Sequence, residues 1–188
     1  MNRIIVVGSS GAGKTTLAKG LSLKLGLPHY ELDSFFHQKG WQPLDNDEFK
    51  ARVNEVTGQP GWIVCGNYFT KLGGKEYWSK ADTVIWCDYS FPLVFSRLLR
   101  RTLKRTVTKQ ELWNENKEGF ITNFFTRESV LLWMMRVWNE QKRRYETIFK
   151  QNKLNDTQLI RLKSPKETAR FLEHIHQPQP SIQLKTTR

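Results

Sequence analysis

Lys14 and Thr15 close the run Gly8-Ser9-Ser10-Gly11-Ala12-Gly13-Lys14-Thr15, whose spacing of glycines, ammonium and hydroxyl suits a polyphosphate. The glycines let successive peptide N–H groups turn inward, where a Cβ would clash or forbid the dihedrals. The lysine reaches the β- and γ-phosphates, and the threonine hydroxyl is a hard oxygen ligand for Mg²⁺. The bland alternative is a glycine-rich turn that binds nothing. Context argues against it, since the apolar run Ile4-Ile5-Val6-Val7 leads in and the helix-forming residues 16–25 lead out. The new helix adds unpaired first-turn N–H groups and its positive dipole end. The expected nucleotide contacts are Gly8, Ser9, Ser10, Gly11, Ala12, Gly13, Lys14, Thr15 and Thr16, with ATP as the nucleotide and Mg²⁺ as its metal.

A second candidate, Asp33, lies just past an apolar run in Tyr30-Glu31-Leu32-Asp33-Ser34-Phe35-Phe36-His37. Strand ends line the ligand crevice of an open α/β sheet. A carboxylate there orients an acceptor hydroxyl, takes its proton, or holds a Mg²⁺-bound water. The competing reading is an N-cap. We assign Asp33 a catalytic role and, with Thr15, a metal-supporting one. His37 and Trp41 either line an acceptor pocket or simply pack. Strand three ends at Cys65-Gly66-Asn67-Tyr68, where P-loop enzymes usually carry an acid that supports Mg²⁺. A thiol does not suit a hard cation, so either Asp33 supports the metal through water or metal binding is weakened. Asn67 or Tyr68 is a candidate acceptor contact, and Asp88 suits capping or a salt bridge.

Arg97, Arg101 and Lys104 or Arg105 recur at helical spacing and share a face. Such arginines neutralise charge spreading over a γ-phosphate in transfer, or else form a solvated basic face. Arg97 and Arg101 are the catalytic candidates, with Arg127 or Arg136 as a second source of positive charge. Arg143 and Arg144 lie on the same later segment. Phe120, Phe124, Leu131, Met134 and Trp138 recur near the helical period, which predicts a packed helical face that could also move as a lid. Ser164-Pro165-Lys166 is placed to border a base.

The elements that must position these groups alternate apolar runs with helical segments, the pattern of an α/β fold with a parallel sheet. Strands are expected at 3–7, 29–32, 62–65, 83–87 and 158–162, in the order 2-3-1-4-5 with helices on both faces. Helices are expected at 16–25, 45–56, 92–106 and 165–175, with a helical, aromatic-rich stretch over 110–150. Residues 1–176 form one domain, with the lid-like segment at about 107–150, and 177–188 read as a disordered tail.

At 188 residues the chain is long enough to bury about 70% of its unfolded surface. The first strand follows the first residues at once, and no apolar run spans a bilayer, so neither a signal peptide nor a membrane partner is expected. Cys65 and Cys87 fit buried free thiols of a cytoplasmic protein. A net charge of +12 and a pI near 9.9 favour anionic partners, whether nucleotides, nucleic acid or surfaces.

On these residues the chain resembles adenylate-kinase-related P-loop kinases, and more closely the bacterial group named DNA topology modulation proteins. The likeness spans residues 3–175. It is carried by the glycine-rich loop, Tyr30-Glu31-Leu32-Asp33 with Gly40-Trp41, and Gly61-Trp62-Ile63-Val64-Cys65-Gly66-Asn67-Tyr68. Arg97 to Arg105, Glu111-Leu112-Trp113-Asn114 and Arg161-Leu162-Lys163-Ser164-Pro165 complete it. The resemblance implies that Arg97 borders the adenine and Arg101 the phosphates. Members of the look-alike group commonly carry an acid where this chain has Cys65. Shikimate-kinase-like relatives lack that acid too and use an aspartate after strand two, which favours Asp33. The adenylate kinase pattern for a second nucleotide is absent, so AMP is not implied as acceptor. The function expected is transfer of the γ-phosphoryl of ATP to a small nucleotide or hydroxylated metabolite. The rivals are a plain NTPase and an ATP-regulated nucleic-acid-associated protein affecting DNA topology.

Overall fold

A computed structural model describes residues 1–108, 113–116, 129–151, 154 and 156–175. Its centre is β1 (Arg3–Gly8), whose apolar run at residues 4–7 is covered on both faces, as a central parallel strand requires. On one side β1 pairs with β3 (Trp62–Cys65), and β3 pairs with β2 (His29–Glu31). On the other side it pairs with β4 (Thr83–Cys87), and β4 with β5 (Gln158–Leu162). All pairings are parallel and the order is β2-β3-β1-β4-β5, as the alternating pattern predicts.

Alternation along the strands splits the core in two. Ile5, Val7, Trp62, Val64, Val84 and Trp86 face α3 (Asn46–Thr57), α4 (Lys75–Trp78) and α6 (Val130–Gln151). Ile4, Val6, Ile63, Cys65, Ile85 and Cys87 face α1 (Lys14–Leu25), the start of α5 (Phe91–Thr108) and α7 (Pro165–His174). The two layers bring the carboxyl ends of β1, β2 and β3 together at one rim, where the chain switches from one side of β1 to the other.

The element bounds differ from the sequence reading in instructive ways. Strand two stops at Glu31 because Leu32 turns into the core and opens the short helix α2 (Leu32–Phe36), with Ser34 Oγ donating to the Glu31 carbonyl at 2.6 Å. α1 begins at Lys14 rather than 16. α5 runs one residue earlier and two later than expected, and α3 starts after Asp45, whose carboxylate caps the Asp47 and Glu48 amides at 2.8 and 3.2 Å. α4 was not foreseen; four residues after two glycines carry no periodic signal. In the stretch read as helical over 110–150, α6 covers the second half and Trp113–Glu115 makes a 3₁₀ turn. Leu131 and Met134 pack with Leu98 and Trp138, so that helical face is core. Phe120, Phe124, Arg127 and the tail 177–188 lie outside the described residues. Cys65 and Cys87 are free and buried, and among the described residues no helix is long and apolar enough to cross a membrane.

Candidate active site

The loop between β1 and α1 has the shape its glycines foretell. Gly8, Gly11 and Gly13 have φ of 145°, 87° and 86°. A Cβ on Gly8 would stand 2.7 Å from the Cys87 carbonyl, and one on Gly11 2.8 Å from that of Val94, so neither position admits a side chain. Gly13 is the N-cap of α1 and supplies no side-chain acceptor. The first-turn amides are therefore left for an anion. Lys14 folds back over the loop, its Nζ donating to the Ser9 carbonyl at 3.2 Å. Burial holds its proton affinity below the usual lysine value. The charge of Asp33 opposes this, and the nearby Arg101 guanidinium adds to it.

Beside Thr15 the expected acid at the end of β3 is Cys65, with Sγ 3.9 Å from Thr15 Oγ1. Burial pushes that thiol up to about 12, so it stays protonated and is no ligand for a hard cation. Its other neighbour is His29 Nε2, at 3.2 Å. The carboxylate at this spot belongs to the adjacent strand. Glu31 lies in register with Cys65, accepts from Thr15 Oγ1 at 3.5 Å, and pairs with Lys19 at 3.6 Å. Among the described residues no three His, Cys, Asp or Glu side chains form a ready-made metal cluster. Two hard oxygens beside a phosphate loop do fit Mg²⁺, which keeps several waters and shares the rest of its shell with phosphate.

Asp33 sits in the first turn of α2 and not at its N-cap, which is Glu31. Its Oδ1 accepts from Tyr68 Oη at 2.8 Å, and its charge acts on Lys14. Phe36 packs on Tyr68 and Phe49, and His37 meets Phe36 and Trp41 edge-on at 5.2 and 5.4 Å. A distant segment braces this corner. Asn116 Oδ1 accepts from the Trp41 amide at 2.9 Å while its Nδ2 donates to the Gln38 carbonyl at 2.8 Å, and Asn114 Nδ2 donates to the His37 carbonyl at 2.5 Å.

The α5 arginines divide as the helical spacing suggests. Arg97 stacks over Tyr89 at 5.6 Å and reaches within 4.0 Å of where a Cβ on Gly13 would lie. Arg101 is close enough to perturb Lys14. Both thus face the loop. Lys104 and Arg136 are exposed, and Arg144 pairs with Glu140 and donates to Thr70 Oγ1 at 3.0 Å. Asp88 makes the salt bridge foreseen for it, accepting from Arg161 Nη2 at 2.6 Å. Ser164 caps α7 through the Glu167 amide at 3.1 Å.

Three roles escaped the sequence reading. Glu31 was quoted only as a neighbour of Asp33; its signal was that an acid ending one strand can stand in for a missing acid on the next. Asn67 grips the loop itself, its Nδ2 donating to the Gly8 carbonyl at 2.6 Å and its Oδ1 accepting from the Gly8 amide at 3.1 Å. The Asn114–Asn116 brace had no signal, because it depends on contacts 75 or more residues away in sequence.

Comparison with known proteins agrees with the fold. No family model matches the chain. A protein of Thermococcus gammatolerans named "Putative adenylate kinase" is 30% identical over 127 residues, covering 68% of this chain and 69% of that protein. A shikimate kinase of Sulfurihydrogenibium sp. is 30% identical over 142 residues, covering 64% of this chain and 83% of that enzyme. Among solved structures, the shikimate kinase of Bacteroides thetaiotaomicron superposes with a TM-score of 0.58 at 15% identity, covering 92% of this chain and 94% of that one. The shikimate kinase of Acinetobacter baumannii, solved with shikimate, gives 0.52 at 16% identity, covering 92% and 89%. These two show a shared fold. The kinase-named relatives support the broader of the two resemblances and not the DNA topology modulation group. The chain belongs to the P-loop kinase family, whose members pass a phosphoryl group from ATP to a small acceptor.

Proposed function

We propose that this protein transfers the γ-phosphoryl of Mg²⁺-bound ATP to a hydroxyl or phosphate oxygen of a small acceptor seated beside Asp33. The observation that carries the reading is the phosphate loop itself: Gly8, Gly11 and Gly13 at positive φ leave the first-turn amides of α1 open to an anion, with Lys14 folded over them and the Glu31 carboxylate beside Thr15. Gly8 to Thr16 wrap the phosphates with backbone amides, and Lys14 holds the β- and γ-oxygens. Thr15 Oγ1 and the Glu31 carboxylate would hold the metal, directly or through water, and Asp33 orients the acceptor and receives its proton. When bound, Mg²⁺ would offset charge on the phosphate oxygens. Arg101 and Arg97 offset charge that builds on the transferred group, and Arg97 also borders the base.

ATP consumption should be screened against shikimate, AMP and other small hydroxylated metabolites, since the relatives' names cover two different acceptors. Acceptor-dependent ADP release that Lys14→Ala abolishes, with circular dichroism unchanged, is the expected result. Full activity of Lys14→Ala would remove the loop from the mechanism, and ATP hydrolysis that no acceptor accelerates would replace the kinase reading with an NTPase.

A further inference from the structure

The β1–β3 ladder ends where the phosphate loop begins. Val6 pairs with Cys65, and the Gly66 amide donates to the Val6 carbonyl at 3.2 Å. Gly66 then turns away at φ 154°, with Leu32 filling the space any side chain on it would need. Pairing with β3 stops there; Gly8 stays level with Cys87 of β4, yet its own amide and carbonyl on the β3 side still need partners. The Asn67 carboxamide supplies the next rung. Its Nδ2 donates to the Gly8 carbonyl at 2.6 Å, its Oδ1 accepts from the Gly8 amide at 3.1 Å, and Tyr145 Oη of α6 donates to the same Oδ1 at 3.2 Å. A carboxamide offers a donor and an acceptor on one short planar group without needing to be protonated. Aspartate would face the Gly8 carbonyl with a second acceptor, and leucine or alanine would leave both peptide groups without these partners.

We infer that Asn67 is a positioning residue for nucleotide binding: it holds Gly8 so that the loop amides are set for phosphate before the ligand arrives, and Tyr145 fixes the carboxamide. This rests on the glycine-rich loop being the nucleotide site. It also redirects the sequence expectation that Asn67 meets the acceptor, since three of the polar contacts its carboxamide can make are already used. Preorganised donors bind more tightly because ordering them is not charged against the complex.

The test uses the full chain and ADP with Mg²⁺, titrated by calorimetry well below the unfolding temperature. Asn67→Ala should weaken ADP binding about tenfold, and Tyr145→Phe, which keeps the packed ring and removes only the donor, about threefold. A purely structural Asn67 would lower the unfolding temperature and leave ADP affinity of the folded protein unchanged, and that result overturns the inference. If Asn67→Ala does not fold, Tyr145→Phe decides: weakened binding supports the role and wild-type binding rejects it. Lys14→Ala separates the two levels. If it loses ADP while both other variants bind as wild type, only the inference fails; if Lys14→Ala binds ADP normally, the nucleotide-site reading fails and takes the inference with it.

Discussion

At Asp33 one carboxylate oxygen is already engaged by Tyr68, which leaves the other for an acceptor. Burial and the neighbouring Asp33 charge push the Tyr68 hydroxyl well above the usual phenol range, so it keeps its proton and donates at any working pH. On the proposed reading, Asp33→Asn lowers kcat about 100-fold with ATP affinity nearly intact, the size of a lost general base. Steady-state kinetics with the acceptor found in the screen checks this, and an unchanged kcat rejects the role. His37 gives a pH test. Its imidazole is half-buried among Phe36 and Trp41, and burial lowers its proton affinity below the free value despite the attraction of Asp33. The unfolded chain therefore binds this proton more readily than the folded one. The neutral ring's contribution is full above the unfolded pKa near 6.5 and is lost as pH falls below it. Thermal melts should show a drop in unfolding temperature from pH 7 to 5.5 that is smaller in His37→Phe.

Among the elements, the phosphate loop is wedged as well as shaped. Gly11 sits at φ 87° against the first turns of α5, where an added Cβ would meet the Val94 carbonyl at 2.8 Å and Leu98 Cβ at 3.2 Å. Gly11→Ala must move either the loop or α5, which carries Arg97 and Arg101. A loss of about 2 kcal/mol in urea unfolding is expected. Weakened nucleotide binding should accompany it, because strain here is spent on the binding amides. The opposite outcome, full stability and affinity, would mean that α5 is not seated against the loop as described. α6 touches the same region from the other side, through Gln141 accepting from Ser9 Oγ at 2.9 Å and through Tyr145 on Asn67. The loop is thus held between two long helices and the end of a neighbouring strand.

For the molecule as a whole, the net charge is +12, and the ion pairs among the described residues differ greatly in weight. Exposed pairs such as Arg52 with Glu48 contribute little. Arg161 is different. It bridges Asp88 and Glu146 and lies over Trp86 at 4.5 Å, tying β4, β5 and α6 together, and the Asp88 side chain is only 8% exposed. Asp88→Ala leaves the guanidinium half-covered with one carboxylate fewer. A loss of about 2 kcal/mol is expected, less than for a fully buried pair because Arg161 keeps Glu146 and some water. Chemical denaturation checks it; a change within the error of the measurement would show that Glu146 suffices.

Local chemistry made much of this legible in the sequence. The strands at residues 62–65, 83–87 and 158–162 could be read to the residue, the first two as mostly apolar runs that prove buried, and the glycines of the loop foretold positive φ. Such features depend on neighbours a few residues away. The site's supporting groups do not. Glu31 reaches Thr15 only because β2 lies beside β3 with Glu31 level with Cys65, and Asn67 reaches Gly8 across 59 residues because Gly66 ends the ladder. Lateral strand order and register are fixed by how the two core layers close over the sheet. Sequence therefore determined the five strands, the long helices and the phosphate loop, while tertiary packing decided which carboxylate stands by Thr15 and which side chain holds the loop's first residue.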